Sequence, residues 1–566
     1  MLRRIVLSIA CLLLLACTPA PKDTANTADL ILIGEHIITM DESEIGAVAV
    51  IGDRISATGT AEDILDMRGP DTRVVELGNK ALLPGFIDSH GHLAVVARLI
   101  DYVNVSSPPV GPAGSIRDMQ KMLRSAIAEN DIAPGQWVVG YGYDESLLEE
   151  QRHPTRDDLD AVSTEHPVML LHVSLHLVAA NSDALSQHGI GAATAEPPGG
   201  RIRRRPDSLE PNGVLEETAA QPLLLGLLHA SSENFADKAR RALEDYASYG
   251  ITTAQDGAAV VPDVVTLRSA AAQSPLPIEL VAYYHAMTLN DEQRAGMAAE
   301  PYVNGVRVGG AKFILDGSIQ GKTGYLSLPY VEPPDGKDAD YRAYPMMPAD
   351  VFQKALDPLL QRNVPLLVHA NGDAAIDMMI DAIDVSLNGR DVPDHRSVMI
   401  HAQMMREDQL DRVKELGIVP SYYSVHPFFW GDWHRQILGN ERASRISPIR
   451  STIERGIPFT IHNDAPVVPP DVMRLIWITV NRETRSGHVL GPDQRATVME
   501  ALHAVTQGAA YQYFEEDEKG SITPGKQADL VILGANPLAV DADALKDIPV
   551  IETISRGRTV YRDGSQ

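Results

Sequence analysis

From Asp29 to Lys80, apolar and polar residues alternate in short runs broken by turns, as in Ala28-Asp29-Leu30-Ile31-Leu32-Ile33-Gly34 and Gly52-Asp53-Arg54-Ile55, which predicts small β-strands. The pattern returns near the other end in Ala528-Asp529-Leu530-Val531-Ile532-Leu533, Val550–Ile554 and Arg556–Tyr561, so both ends are expected to form one β-subdomain. Between them, buried-looking apolar runs alternate with helical segments, the pattern of a parallel α/β architecture. The runs predict strands over Leu82–His92, Ile251–Gly257, Ile278–Tyr284, Val306–Asp316, Val364–Ala370, Ser397–His401, Gly417–Tyr422 and Ile457–Asp464. Eight such strands suit a closed (β/α)8 barrel. The first two are separated by about 160 residues, far beyond the 2–6 residues of an ordinary βα loop, so an inserted subdomain is expected there. The stretch from Ser318 to Met347, rich in Pro, Gly and Tyr, is a candidate lid over an active site.

Length changes this picture only by requiring more than one unit, because a single core stops growing well below 566 residues. The expected organisation is a signal segment over 1–17, a linker over 18–28, a β-sandwich subdomain from 29–80 and 515–566, and a barrel over 81–514 with an insertion at about 95–245. Arg3 and Arg4 precede an apolar run from Ile5 to Leu15, followed by Ala16-Cys17, which has the parts of an export signal and is too short for a mature membrane span. Leu14-Leu15-Ala16-Cys17 resembles a bacterial lipoprotein signal, implying lipidation of Cys17 and anchoring on the periplasmic side or at the outer membrane. The two cysteines are Cys11 and Cys17, so the mature chain has no thiolate for catalysis or metal binding. Acidic residues outnumber basic ones 76 to 49, giving a net charge of −27, which disfavours nucleic acid as a partner. The dense basic cluster of Arg201, Arg203, Arg204 and Arg205 reads as a solvated loop.

Chemistry-bearing residues fall at the ends of these runs. His90 and His92, two residues apart on a strand, would face one side and aim their imidazoles at one metal. His369, His401 and Asp464 also close predicted strands, where barrel enzymes build their sites. A lone histidine in such a place is more often a hydrogen-bonded core residue; the joint occurrence favours a metal site. Lys312 lies within an otherwise apolar strand, where a charged ammonium is costly. Two readings stay open for it: pairing with Asp316 or another carboxylate, or a neutral amine that captures carbon dioxide as a carbamate bridging two cations.

The order His-x-His, Lys, His, His, Asp resembles the amidohydrolase superfamily, and the surrounding words resemble its branch containing N-substituted formamide deformylases and YtcJ-like proteins. Those words include Leu83-Pro84-Gly85-Phe86-Ile87-Asp88, His176 with Asn181, Gly213-Val214-Leu215-Glu216, Tyr249-Gly250-Ile251-Thr252-Thr253, Lys312–Ser318 with Thr323, and Gly520–Leu530. The resemblance implies a distorted TIM barrel and one or two divalent metals, zinc first among them, held by His90, His92, Lys312, His369, His401 and Asp464, with Lys312 carboxylated where two metals are bridged. It implies hydrolysis of an amide-like small molecule, such as an N-formyl or N-acyl amine, by activated water. Asp464 would be the catalytic proton carrier, and His176 a second catalytic residue near the substrate oxygen or a buried structural histidine. The chain departs from many relatives in having Ile400 before the sixth-strand histidine and Asn463 before the last-strand aspartate. Deamination or cyclic-amide opening at the same site, and a non-catalytic ligand-binding surface lipoprotein, stay open as alternatives, as does a homodimer. Tyr422, Tyr423, Phe428, Phe429, Trp430 and Trp433 suggest an aromatic-bearing substrate or packing at the barrel rim.

Overall fold

The computed structural model describes residues 27–41, 43–198, 200–224, 234–334, 336–389 and 393–564. The expected signal segment, Cys17 and nearly all of the linker lie outside the described residues. Among the described residues, no helix is long and apolar enough to cross a membrane.

At the centre is a curled, eight-stranded parallel sheet. Its strands are β1 (Phe86–Ile87), β2 (Ile251–Ala259), β3 (Glu279–His285), β4 (Val306–Ile314), β5 (Leu366–Ala370), β6 (Val398–His401), β7 (Val419–Tyr422) and β8 (Thr460–Ile461), each beside its neighbour in the chain. Strands with both faces covered need apolar residues at successive positions, which is why Leu366-Leu367-Val368 reads as a continuous run. The curl carries β8 back towards β1, and the residues just beyond both strands join. Asp464 N donates to His90 O at 3.2 Å, His92 N to Ala465 O at 2.8 Å, and Ser89 Oγ to Ile461 O at 2.9 Å. Below this junction the interior is filled by Val281, Tyr283, Leu367, Val398, Ile400 and Val419 with Tyr513. That packed floor leaves the carboxyl ends of the strands as the open face.

The expected first strand, Leu82–His92, is corrected to two strands that serve different sheets. Ala81–Pro84 pairs antiparallel with Leu530–Leu533, and only Phe86–Ile87 enters the barrel sheet. The switch occurs at Gly85, whose N–H donates to Asp529 O at 2.8 Å while Phe86 N donates to Gly250 O at 2.9 Å. A Cβ at position 85 would lie 2.4 Å from Thr252 Cγ2, so the crossing between the two sheets requires glycine.

The two chain ends make two four-stranded sheets, one from residues 28–76 and one from Ala81–Pro84 with the C-terminal strands. They share a core of Leu30, Leu32, Val48, Leu82, Leu530 and Ile554 among others. Between β1 and β2 lies a separate six-stranded sheet spanning Val103 to Glu217, with its own apolar clusters. The arginine cluster expected in a loop is part of it: Gly200–Arg204 is its edge strand, and Arg203 and Arg205 pair with Glu216 and Asp157. Alternation of bulky arginines with Ile202 fits a half-buried edge strand, where charge also blocks pairing with other chains.

Residues 318–347 form no regular helix or strand among the described residues. They are tied to the strand ends, with Tyr325 N donating to Asp316 Oδ2 at 2.9 Å and Ser327 N to Asp373 Oδ1 at 2.8 Å. Asp373 opens helix α1 (Asp373–Leu387), which follows β5, and helix α2 (His426–Leu438) follows β7.

Candidate metal and catalytic site

The carboxyl ends of β1, β4, β5, β6 and β8 bring His90, His92, Lys312, His369, His401 and Asp464 into one cluster, with His92 and His369 half-buried and the other four buried. One donor atom each from His90, His401 and Asp464 lie within 4.8 Å of one another. Asp464 is central: its Oδ1 is 3.2 Å from His92 Nε2 and 3.5 Å from His90 Nε2, and its Oδ2 is 3.9 Å from His401 Nε2. His401 Nε2 is 3.1 Å from His369 Nδ1.

The geometry of the His-x-His pair differs from the expected one. His90 and His92 do not alternate along a strand but lie in the turn beyond β1, where His92 bridges Asp256. They converge because the turn is fastened to β8 through the bonds to Asp464 N and Ala465 O. Lys312 does not pair with Asp316, the first carboxylate expected for it. Asp316 is fully buried and accepts from three backbone N–H groups, those of Asn371 at 3.0 Å, Gly372 at 2.8 Å and Tyr325 at 2.9 Å. Lys312 Nζ instead lies 3.0 Å from His90 Nε2.

Hydrogen bonding around His90 fixes its tautomer. Gln255 Nε2 donates to Ser89 O at 2.8 Å and to Tyr513 OH at 2.6 Å, so Gln255 Oε1 faces His90 Nδ1 at 2.6 Å and must accept its proton. The bare Nε2 lone pair is thereby turned to Lys312 and Asp464. Burial drives the remaining electrostatics. It pushes His369 and His462 down to about 3, and His90 and His401 well below the usual imidazole range, so all four rings are neutral and able to ligate. It also pulls Lys312 down to about 7, against the attraction of Asp464. Burial alone would raise Asp464, but His92, His90 and His401 hold its carboxyl well below the ordinary range, and it is ionised at neutral pH.

Two residues of the cluster carry backbone strain. His401 and Asp464 have φ of 73° and 55°, the left-handed region that costs a side-chain-bearing residue on the order of 1–3 kcal/mol. This turn of the chain is what directs both side chains inward from strand ends.

His462 belongs to the cluster and the sequence reading gave it no role. Its Nε2 is 3.3 Å from His401 Nδ1, its Nδ1 is 2.9 Å from Ser421 Oγ, and its ring stacks on Tyr423 with centroids 5.6 Å apart. The available signal was spacing, since His462 stands two residues before Asp464 as His90 stands before His92. Gln255 and Asp88 also went unrecognised; Asp88 is raised to about 7 by burial and its Oδ2 has no hydrogen-bond partner among the described residues.

His176 lies apart from these contacts, in the turn before strand Leu177–Ala180 of the inserted sheet, with Nδ1 2.9 Å from Glu217 Oε2. Burial opposes its protonation, but Glu217 outweighs it and raises the pKa, with smaller contributions from Asp316 and Asp464 that place it within electrostatic reach of the cluster. The aromatic residues divide. Tyr422 is core, hydrogen-bonded to Thr452 Oγ1 at 2.6 Å, and Trp433 donates to Gln320 O at 2.9 Å, whereas Phe429 and Trp430 line clefts beside the Asp464 loop. A second group, Asp144, Glu145 and His172, is also compact enough to hold a cation. Its groups are satisfied by one another and by Trp430, Ser146 and Ser174.

The chemistry of the main cluster fits a divalent metal. Neutral imidazoles face one another and an ionised carboxylate, and Asp464 Oδ1 is buried without a hydrogen-bond partner among the described residues. A nitrogen and carboxylate donor set of this kind suits zinc.

Residues 73–561 match the model of a family described as the amidohydrolase family. The chain is 31% identical over 559 residues to N-substituted formamide deformylase of Arthrobacter pascens, an alignment covering 95% of this chain and 99% of that one. It is 27% identical over 546 residues to the putative amidohydrolase YtcJ of Bacillus subtilis, covering 93% and 98%. Its fold is that of an uncharacterized metal-dependent hydrolase from Pyrococcus horikoshii OT3, with a TM-score of 0.70 at 22% identity over 91% of this chain and 99% of that one.

Proposed function

The chain belongs to the amidohydrolase family, and from that premise we propose that it cleaves an N-formyl or N-acyl amine at the cluster around Asp464. It is a metal-dependent hydrolase acting on carbon–nitrogen bonds other than peptide bonds. The ligand set proposed is His90, His92, Lys312, His369, His401 and Asp464, with His462 adjoining, and the metal proposed is zinc. The deformylase among its relatives supports the choice of an N-formyl substrate. The observation that carries the reading is Asp464: a buried, ionised carboxylate with Oδ1 within 3.5 Å of both His90 Nε2 and His92 Nε2.

A divalent ion held there would supply a Lewis acid for the substrate carbonyl and lower the pKa of a nearby water. Asp464 accepts the proton that water loses as its oxygen bonds to the carbonyl carbon. It then returns that proton to the nitrogen as the C–N bond breaks, because an amide anion is too basic to depart unprotonated. Glu217 favours the protonated form of His176 against burial, and in that form its charge would favour the developing oxyanion. Lys312, with its pKa near 7, has a substantial neutral fraction, and its amine can combine with carbon dioxide, releasing a proton, to give an anionic carbamate as a further ligand.

Protein lacking residues 1–17 and reconstituted with zinc is expected to retain at least one metal per chain by elemental analysis and to hydrolyse a member of a panel of N-formyl and N-acyl amines. Absence of metal after reconstitution together with no turnover would replace this reading with that of a ligand-binding lipoprotein. Export and lipid anchoring through Cys17 belong to the same proposal. In the full chain, Cys17→Ser is expected to move the protein from the membrane fraction to the soluble one, and an unchanged distribution would count against the anchor.

A further inference from the structure

The barrel closes where β8 returns to β1, and that seam carries a relay of polar side chains from Ser89, just beyond β1, to His401 at the end of β6. Ser89, Ser421, His462 and His401 are all buried. Ser89 Oγ is 3.5 Å from Ser421 Oγ, Ser421 Oγ is 2.9 Å from His462 Nδ1, and His462 Nε2 is 3.3 Å from His401 Nδ1. His462 is fixed by its backbone N–H, which donates to Tyr422 O at 3.0 Å, and by the face of Tyr423, on which its ring stacks.

The direction of the relay follows from the protons available to it. Ser89 Oγ donates its one proton to Ile461 O at 2.9 Å, so towards Ser421 it can only accept. Ser421 Oγ therefore donates to Ser89 and accepts from His462 Nδ1–H. Burial keeps His462 neutral, so its single ring proton is on Nδ1 and its Nε2 is bare. Two bare nitrogens 3.3 Å apart would repel, so His401, also neutral, carries its proton on Nδ1 and donates it to His462. The lone pair of His401 Nε2 is thereby left facing His369 Nδ1 at 3.1 Å and Asp464 Oδ2 at 3.9 Å. His369 is not fixed in this way, since its Nε2 has both an acceptor, Gly317 O at 3.3 Å, and a donor, Asn371 Nδ2 at 3.0 Å.

We propose that His462 and Ser421 are positioning residues that hold the tautomer and ring orientation of His401, so that its Nε2 is presented to the metal, and that His462 is not itself a ligand. This deepens the hydrolase reading above and rests on the metal it requires. Both nitrogens of His462 are engaged, one donating and one accepting, which leaves it no lone pair for an ion. A ligating histidine whose far nitrogen donates to a fixed acceptor is a stronger base and is held in one orientation. Here the acceptor is an imidazole anchored through two serines to the backbone at Ile461. The contacts that close the barrel thus orient a ligand on β6.

Zinc affinity, measured by competition with a chromogenic chelator, and the visible spectrum of the cobalt(II)-loaded protein both report on the site independently of turnover. His462→Phe, which keeps a ring and removes the acceptor, is expected to weaken zinc binding by about 10- to 100-fold and to shift the cobalt spectrum. His462→Gln, whose side-chain oxygen can reach the place of Nε2, is expected to recover most of that loss. Ser421→Ala removes little bulk and is expected to weaken zinc in the same direction, which keeps the test decisive if His462→Phe does not fold. Wild-type zinc affinity in Ser421→Ala and in any folded His462→Phe, or a loss in His462→Gln as large as in His462→Phe, would overturn the proposal. The last result is what a packing role alone predicts. In metal-free protein, 15N-histidine spectra are expected to show His401 and His462 as Nδ1–H tautomers, assigned by the signals lost in His401→Gln and His462→Gln. His401 as the Nε2–H tautomer would overturn the relay whatever the metal result. If wild type takes up no zinc, the hydrolase reading fails by itself, and these spectra still decide the relay.

Discussion

Asp464→Asn is expected to hold zinc at saturating concentrations and to lose turnover by about 10²–10⁴-fold, the usual contribution of a positioned proton carrier. The substitution keeps the shape of the side chain and an oxygen able to face a cation, while removing the site that can take and return a proton. Other donors remain, since His90, His369 and His401 are neutral and His92 Nε2 adjoins the same space. The wild-type carboxyl is the base form at neutral pH because His92, His90 and His401 overcome the effect of burial, so its role does not await a further activation step. The decisive comparison is kcat at equal metal occupancy. A variant within tenfold of wild type would make Asp464 a metal ligand without a proton-carrying role. Loss of metal together with activity would make ligation its dominant contribution.

The sequence made the barrel strands legible because a strand covered on both faces has little freedom in composition. Val368-His369 and Met399-Ile400-His401 show how abruptly an apolar run yields to chemistry at its carboxyl end. Partner exchange was less legible. Nothing local to Leu82–His92 shows that Gly85 crosses between two sheets, since the reason is Thr252 packed against it from 167 positions further on. The support of the site is hidden for the same cause. Gln255 sets the tautomer of His90 across a separation of 165 residues, and Asp316 is held by backbone N–H groups of the chain beyond β5 and of residues 318–347. Lys312 illustrates the difference between identity and environment: its oddity in an apolar strand was readable, but its partner was not. His462 was missed because β8 is only two residues long, so the weak apolar run there drew attention to Asp464 alone.

The same buried imidazoles make the metal-free protein sensitive to acid, and its stability is expected to fall steeply as pH drops from about 6.5 towards 4. Burial pushes His153, His369, His434 and His462 down to about 3, and His90, His401 and His426 well below the usual range. The unfolded chain binds protons on these rings near 6.5 while the folded chain does not. Their contribution is therefore intact above 6.5 and lost progressively below it. Buried carboxyls act in the opposite sense: burial raises Asp88 and Asp316 to about 7, Asp256 and Asp529 to about 6, and Asp144, Asp245 and Asp471 in the same direction, so they take up protons in the fold before they would in the open chain. His176, with a raised pKa, gains its proton above this window and has little influence within it. With His285, His395 and His503 also lowered, the imidazoles outnumber the raised carboxyls among the described residues, so unfolding takes up protons as pH falls below 6.5. The measurement is the urea midpoint of chelator-treated protein between pH 7 and 4.5, with the m-value checked for constancy. His434→Gln, outside the proposed ligand set, is expected to lower the slope by about one proton. A midpoint that stays level or rises as pH falls from 6 to 4.5 would mean that these rings are not held neutral, and with that the argument that they stand ready to bind a metal would fail.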